Sequence, residues 1–169
     1  VLDLGGGSGA YAMAFARSAP GLRAVVLDLP QVVPLTRRYI AEEGLEDRVS
    51  AQAGDFLHDD LGYDYDLVFL SAIVHMLSPE DNRRLLARVF QSLNPDGRVA
   101  IQDFIMDPDR VSPTRGAFFA LNMLVSTEAG DSYTAEELTD WLGRAGFGRV
   151  ERIGAGAATS VIVGHRDAS

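Results

Sequence analysis

Within its first ten residues the chain passes from an apolar segment, Val1-Leu2-Asp3-Leu4, through Gly5-Gly6-Gly7-Ser8-Gly9 into a helical stretch that begins at Ala10. Glycines permit positive φ angles and let a ligand approach the main chain closely. A plain βα turn needs fewer of them, so this segment reads as a ligand loop. It also restricts the fold. A strand that feeds a helix through such a loop opens a βαβ unit, and βαβ units build parallel sheets.

The rest of the chain keeps that alternation. Helical character over 10–19 stops at Pro20-Gly21, and Ala-Val-Val-Leu within 23–28 is the continuous apolar run of a strand buried on both faces. A helix over 31–43 ends at Gly44, and strands follow over 49–54 and 66–71. Ser78-Pro79-Glu80-Asp81 starts a further helix, with a cap, a proline at the first helical position and acids in the first turn. Asn94-Pro95-Asp96-Gly97 reads as a turn before a strand over 98–105. An apolar helix over 112–127 and a helix opened by the capping box at Thr134 come next. The last two strands, 149–153 and 160–164, are joined by a link too short for a crossover helix and should pair antiparallel. The fold class is therefore α/β: an open, doubly wound, Rossmann-like sheet with helices on both faces.

Three acids select the ligand. Asp3 lies at the mouth of the first strand, Asp28 ends the second about twenty residues past the glycines, and Asp55 follows the third. Ligands of open α/β sheets bind outside these strand ends, and a carboxylate at the position of Asp28 accepts hydrogen bonds from ribose hydroxyls. Read literally, Gly5-x-Gly7-x-x-Ala10 is a dinucleotide fingerprint, which keeps an NAD-dependent oxidoreductase as an alternative. A pocket edged by three carboxylates, with no arginine beside the loop, suits a cation better than a pyrophosphate. S-adenosylmethionine fits that description, carrying a sulfonium and an ammonium and no phosphate. Asp55 would accept from its adenine amino group while Phe56 packs on the ring.

Composition removes other classes. The 169 residues carry 15 basic against 24 acidic side chains, a formal charge of −9, which argues against a nucleic-acid partner or an anionic membrane surface. Every basic residue is arginine, so Schiff-base chemistry and a P-loop lysine are excluded. Cysteine is absent, which excludes thiol catalysis, and no histidine pair has metal-ligand spacing, so no metal site is expected. No apolar run is long enough to span a membrane.

These segments resemble the class I S-adenosylmethionine-dependent methyltransferases. Asp28-Leu29-Pro30-Gln31-Val32, Gly54-Asp55-Phe56, His75, the stretch from Leu93 to Arg98 and Ala145-Gly146-Phe147 narrow the resemblance to the small-molecule O-methyltransferases of plant phenolic and bacterial natural-product pathways. The resemblance implies a seven-strand sheet with an antiparallel last strand. It implies cofactor contacts from Asp3, Gly5, Gly7 and Gly9, from Asp28 and Leu29 on the ribose side, from Asp55 and Phe56 on the adenine side, and from Ser71 near the methionine end. His75 matches the family's general base and Asp103 an acid that orients it. Phe119, Asn122 and Met123 would line the acceptor pocket. Two positions depart from the family pattern: His75-Met76-Leu77 replaces His-Asp-Trp, and Ser132 stands where a second acid usually flanks the base.

A phenolic acceptor ionises near ~10, so a positioned base helps its attack by roughly 10²–10⁴-fold. Without Cys or Lys, histidine is the natural candidate. His58 sits in the acidic loop His58-Asp59-Asp60 and reads as solvated; His165 reads as a surface residue; His75 follows the apolar run 68–74 at the ligand edge of the sheet. His75 can also be read as a hydrogen-bonded structural histidine, Asp103 as a cap for its own loop, and the apolar residues around Phe118 as core or interface. Asn122 stands out among them, because a buried amide wants partners. A non-methylating relative that only keeps the cofactor pocket is a further alternative.

The chain opens inside a strand, so it is expected to be the cofactor-binding domain, 1–169, of a longer cytoplasmic protein. The family's helical dimerisation domain would precede it, and the intact protein would be a homodimer acting on a small-molecule acceptor. Without that domain, apolar surface should be exposed.

Overall fold

A computed structural model describes residues 1–154 and 159–168. Seven strands form one sheet in the order β3-β2-β1-β4-β5-β7-β6: β1 (Leu2–Leu4), β2 (Ala24–Asp28), β3 (Val49–Ala53), β4 (Tyr65–Ser71), β5 (Leu93–Asp103), β6 (Arg149–Gly154) and β7 (Ser160–His165). The first five strands pair in parallel, and β7 runs antiparallel to both β5 and β6. The antiparallel closing hairpin follows the sequence reading; the link over 155–158 lies outside the described residues.

Alternation along the strands divides the core in two. In β1, Leu2 and Leu4 point to one face and Asp3 to the other. The face of Leu2 and Leu4 also carries Leu27, Val68, Leu70, Val99 and Ile101, and it is covered by α3 (Pro79–Ser92) and α5 (Ala135–Ala145) through Leu85, Leu86, Val89, Leu138, Trp141 and Leu142. The opposite face is covered by α1 (Ala10–Ser18) and α2 (Val33–Glu42), where Ala12, Met13, Ala16, Val33 and Ile40 pack on Ala24, Val26, Val49 and Ala51. The two predicted helix caps hold. Ser78 accepts a bond from Asp81 N at 3.1 Å, and Thr134 and Glu137 complete a reciprocal capping box. No helix among the described residues is long and apolar enough to cross a membrane.

The largest differences from expectation lie in β5. The segment 94–97 is not a turn ahead of a strand but an irregularity inside β5. Leu93 sits opposite Tyr65 and Arg98 opposite Leu67, so the intervening residues loop out, with Asp96 at φ 62°. The strand also ends at Asp103 and not at residue 105. The Asp103 carboxylate turns back to accept from Phe104 N at 2.7 Å, which ends the ladder at the active edge.

The strand order reverses between β1 and β4, with β2 and β3 on one side and β5 on the other. This topological switch point leaves a crevice outside the carboxyl ends of β1 and β4, between the glycine loop and the segment that carries His75. The sheet positions that crevice, so its stability rests on the α3–α5 layer. Leu86→Ala, at a fully buried position, should lower unfolding free energy by about 2–5 kcal/mol in a denaturant titration.

Candidate active site

The glycine loop is folded over a buried carboxylate. Asp3 is 1% exposed, and its Oδ2 accepts from Ala12 N in the first turn of α1 at 3.2 Å. Gly6 passes directly above it: a Cβ on Gly6 would lie 2.6 Å from Asp3 Cγ. Gly9 enters α1 in the left-handed region at φ 78°, with its N–H bonded to Gly6 O at 2.9 Å. Thr36 on α2, fully buried, donates from its hydroxyl to Gly7 O at 2.6 Å and anchors the loop from the other side. Thr36 escaped the sequence reading because a lone threonine in an amphipathic helix carries no local signal.

Burial pushes the Asp3 carboxyl up to about 6, against the N–H of Ala12, which favours its charge, and with the negative charge of Asp28 adding to the rise. Its Oδ1 has no hydrogen-bond partner among the described residues. A desolvated carboxylate with an unused acceptor, facing a loop with no arginine, is a place for a positive charge.

Asp28, at the end of β2, accepts from Gly7 N at 2.8 Å through Oδ2 and from Leu29 N at 2.7 Å through Oδ1. It thereby joins the strand end to the loop, while Leu29 remains exposed beside it. Phe56 is half-buried next to the loop: its Cε1 lies 3.5 Å from where a Gly5 Cβ would be. Asp55 accepts from Leu57 N at 2.9 Å and pairs through Oδ2 with His58 Nδ1 at 2.8 Å. Those two bonds hold its carboxyl below the usual carboxylate range. His58 is thus exposed but partnered, which corrects its reading as merely solvated. His165 is corrected as well: its side chain is largely buried and its Nε2 meets Glu151 Oε1 at 2.7 Å, because β7 is an inner strand between β5 and β6.

Across the crevice, β4 ends at Ser71, which is half-buried opposite Gln102 of β5. Ala72 takes φ 58°, an uncommon backbone for a residue with a Cβ, and its N–H bonds Gln102 O at 3.0 Å. Ile73 then packs on the glycine loop, its Cδ1 2.5 Å from the place of a Gly5 Cβ. His75 lies on a 3₁₀ turn, Val74–Met76, that follows. Because β4 and β5 are parallel neighbours, this turn meets Asp103 at the end of β5. His75 Nδ1 is 2.8 Å from Asp103 Oδ1, and both side chains are almost fully buried. The backbone N–H of His75 also reaches Asp103 Oδ2 at 3.4 Å. A carboxylate oxygen accepts, so Nδ1–H is the donor in this bond and Nε2 is the ring nitrogen left for another partner. Two residues far apart in sequence thus form a buried histidine–carboxylate pair.

Phe119 of α4 (Thr114–Ser126) meets the His75 ring edge-on at a 4.7 Å centroid distance and stacks on Phe104 at 4.2 Å. Met123 is buried on the same helix. Asn122 is not a buried amide: it is exposed, and its Oδ1 accepts from Ser126 Oγ at 3.3 Å. It lies one residue from Met123 and so on the open side of α4. Ser132 is buried and donates to Gly116 O at 3.2 Å, which leaves Asp103 as the acid bonded to His75.

The fold and the site together define a methyltransferase-type cofactor domain, and comparison with known proteins agrees. Residues 1–148 match the model of the O-methyltransferase domain, and the chain belongs to that family. It is 37% identical over 166 residues to a 3-hydroxy-5-methyl-1-naphthoate 3-O-methyltransferase of Streptomyces sahachiroi, covering 97% of this chain and 48% of that protein. Among solved structures, an O-methyltransferase family 2 protein from Planctomyces limnophilus in complex with apigenin superposes with a TM-score of 0.91 at 29% identity, covering 98% of this chain and 50% of that one. Human N-acetylserotonin methyltransferase in complex with S-adenosylmethionine superposes with a TM-score of 0.88 at 30% identity, covering 98% and 47%. The chain spans about half the length of these proteins. The oxidoreductase alternative finds no support in them.

The raised Asp3 carboxyl makes stability depend on pH. The folded protein binds this proton more tightly than the unfolded chain does. Asp3 therefore costs nothing below pH about 4, and its full cost, about 3 kcal/mol, is reached once pH has risen past about 6. Asp3→Asn should stabilise the ligand-free protein at pH 8 and lose that advantage below pH about 4, read as the difference in denaturant midpoints at the two pH values.

Proposed function

We infer that the protein carrying this chain transfers the methyl group of S-adenosylmethionine to a hydroxyl of an aromatic small molecule, in natural-product biosynthesis. The observation that carries the acid–base part of this reading is the buried His75–Asp103 pair beside the glycine loop.

The residues present fit the cofactor. The orphaned Asp3 Oδ1 lies beneath a loop whose close approach a Cβ on Gly6 would block. Gly5, Gly7 and Gly9 would shape the cradle, with Asp28 and Leu29 at the ribose, Asp55 and Phe56 at the adenine, and Ser71 at the methionine end. S-adenosylmethionine, when bound, supplies a methyl group made electrophilic by its sulfonium. Asp3 and Asp28 balance that positive charge. His75 Nε2 takes the proton from the acceptor hydroxyl, and Asp103 holds the ring and stabilises the imidazolium that forms. Phe119, Phe104 and Met123 keep the neighbourhood apolar, which suits a reaction that disperses charge. Asn122, on the open side of α4, would reach an acceptor only from the rim.

Around α4, Phe118, Leu121, Leu124 and Val125 are all more than half exposed. A preceding helical domain and a second subunit would cover this face, giving a cytoplasmic homodimer whose acceptor pocket is closed by parts outside this chain.

The test is methyl transfer by the full-length protein from methyl-labelled S-adenosylmethionine to 3-hydroxy-5-methyl-1-naphthoate, apigenin and N-acetylserotonin. Labelled ether is expected from at least one hydroxylated aromatic. His75→Ala should lower kcat by roughly 10²–10⁴-fold while S-adenosylhomocysteine binding is unchanged. Full turnover in that variant would remove His75 from the base role. Cofactor binding without transfer to any aromatic hydroxyl would favour a non-methylating relative.

A further inference from the structure

The turn that carries His75 is three residues long and makes few bonds of its own: Met76 N–H donates to Ile73 O at 3.0 Å and Leu77 N–H to Val74 O at 3.3 Å. Its carbonyls are also held from outside, by two different elements. Asn82, fully buried in the first turns of α3, donates from Nδ2 to Val74 O at 2.9 Å and to Leu77 O at 3.3 Å. Tyr133, in the segment leading to α5, donates its hydroxyl to Leu77 O at 2.5 Å. Two residues earlier in that segment, Asp131 N–H donates to His75 O at 3.0 Å. Gly130 makes this approach possible, since a Cβ there would collide with the same carbonyl.

This arrangement differs from ordinary core packing. Asn82 Oδ1 is buried with no hydrogen-bond partner among the described residues. A core chosen for stability alone avoids stranding such an atom, because an unpaired buried acceptor is costly. The amide is spent on the turn instead. Burial pushes the Tyr133 phenol up to about 12, so its hydroxyl stays a donor across the working pH range.

We propose that Asn82 and Tyr133 are positioning residues that clamp residues 74–77 and thereby aim His75 Nε2 at the acceptor. Asp103 fixes the tautomer and tilt of the ring from its Nδ1 side; the clamp fixes the backbone on which the ring stands. Asp103 is the acid bonded to the ring, and Ser132 is turned away to Gly116 O. The proposal rests on His75 as the base, and its test has a readout separate from that assignment.

The test uses the full-length protein with Asn82→Leu and Tyr133→Phe; the latter keeps the ring and its edge contact with Trp141. Nitrogen-15 NMR of the His75 imidazole, with S-adenosylhomocysteine bound at pH 8, reports the tautomer. Calorimetry reports cofactor affinity, and kcat and KM are measured with 3-hydroxy-5-methyl-1-naphthoate, apigenin and N-acetylserotonin. The wild-type ring should show a single Nδ1–H tautomer. Both variants should show a mixed tautomer signal and a kcat lower by about ten-fold or more, with cofactor affinity unchanged. An unchanged tautomer signal in Tyr133→Phe together with wild-type kcat would overturn the clamp. So would a kcat loss that only follows lost cofactor binding. If His75→Ala itself keeps full turnover, the base assignment fails, and the tautomer signal alone decides the clamp.

Discussion

The carboxylate of Asp3 lies under the main chain of Gly6, and the upper edge of the sheet is arranged around that contact. Only a residue without Cβ can cross there, since that atom would fall 2.6 Å from the carboxyl carbon. The crossing lets Asp3 receive the Ala12 N–H, which sets where α1 begins. It also brings Gly7 to Asp28 and to Thr36, so β1, β2, α1 and α2 meet in one loop. The cost is a buried carboxylate with an unused acceptor. Such a group suits a positively charged ligand better than a phosphate.

Across the switch point the same logic holds a buried histidine–carboxylate pair. The β4–β5 pairing brings the end of one strand beside the end of the other, and His75 and Asp103 meet although 28 positions separate them. Ile73 joins the two halves, packing on the glycine loop while its neighbours form the His75 turn. The glycine loop and the His75 turn are therefore a single packed unit. The strain of Ala72 in the left-handed region is placed where the chain leaves the sheet to build that unit.

Much of this was legible in the sequence, because periodicity and glycine placement are local signals. Seven strands, a mostly parallel sheet, the closing hairpin and the caps of α3 and α5 all followed from patterns a few residues long. The irregularity in β5 was missed because Asn94-Pro95-Asp96-Gly97 has turn chemistry, and only pairing across to Tyr65 shows that the ladder resumes. Thr36, Ile73, Asn82 and Tyr133 were missed for a different reason. Each acts through a contact set by tertiary packing, and each looks in sequence like an ordinary helix or loop residue. Asn122 failed in the opposite direction: its apolar neighbours suggested burial, whereas the face of α4 that holds it is open.

The central claim is that the glycine loop and its carboxylates select a cationic, phosphate-free nucleoside. Calorimetric titration of the full-length protein with S-adenosylmethionine and, separately, with NAD tests it most directly. The account predicts saturable binding of S-adenosylmethionine and none of NAD. Binding of NAD with no binding of S-adenosylmethionine would contradict it.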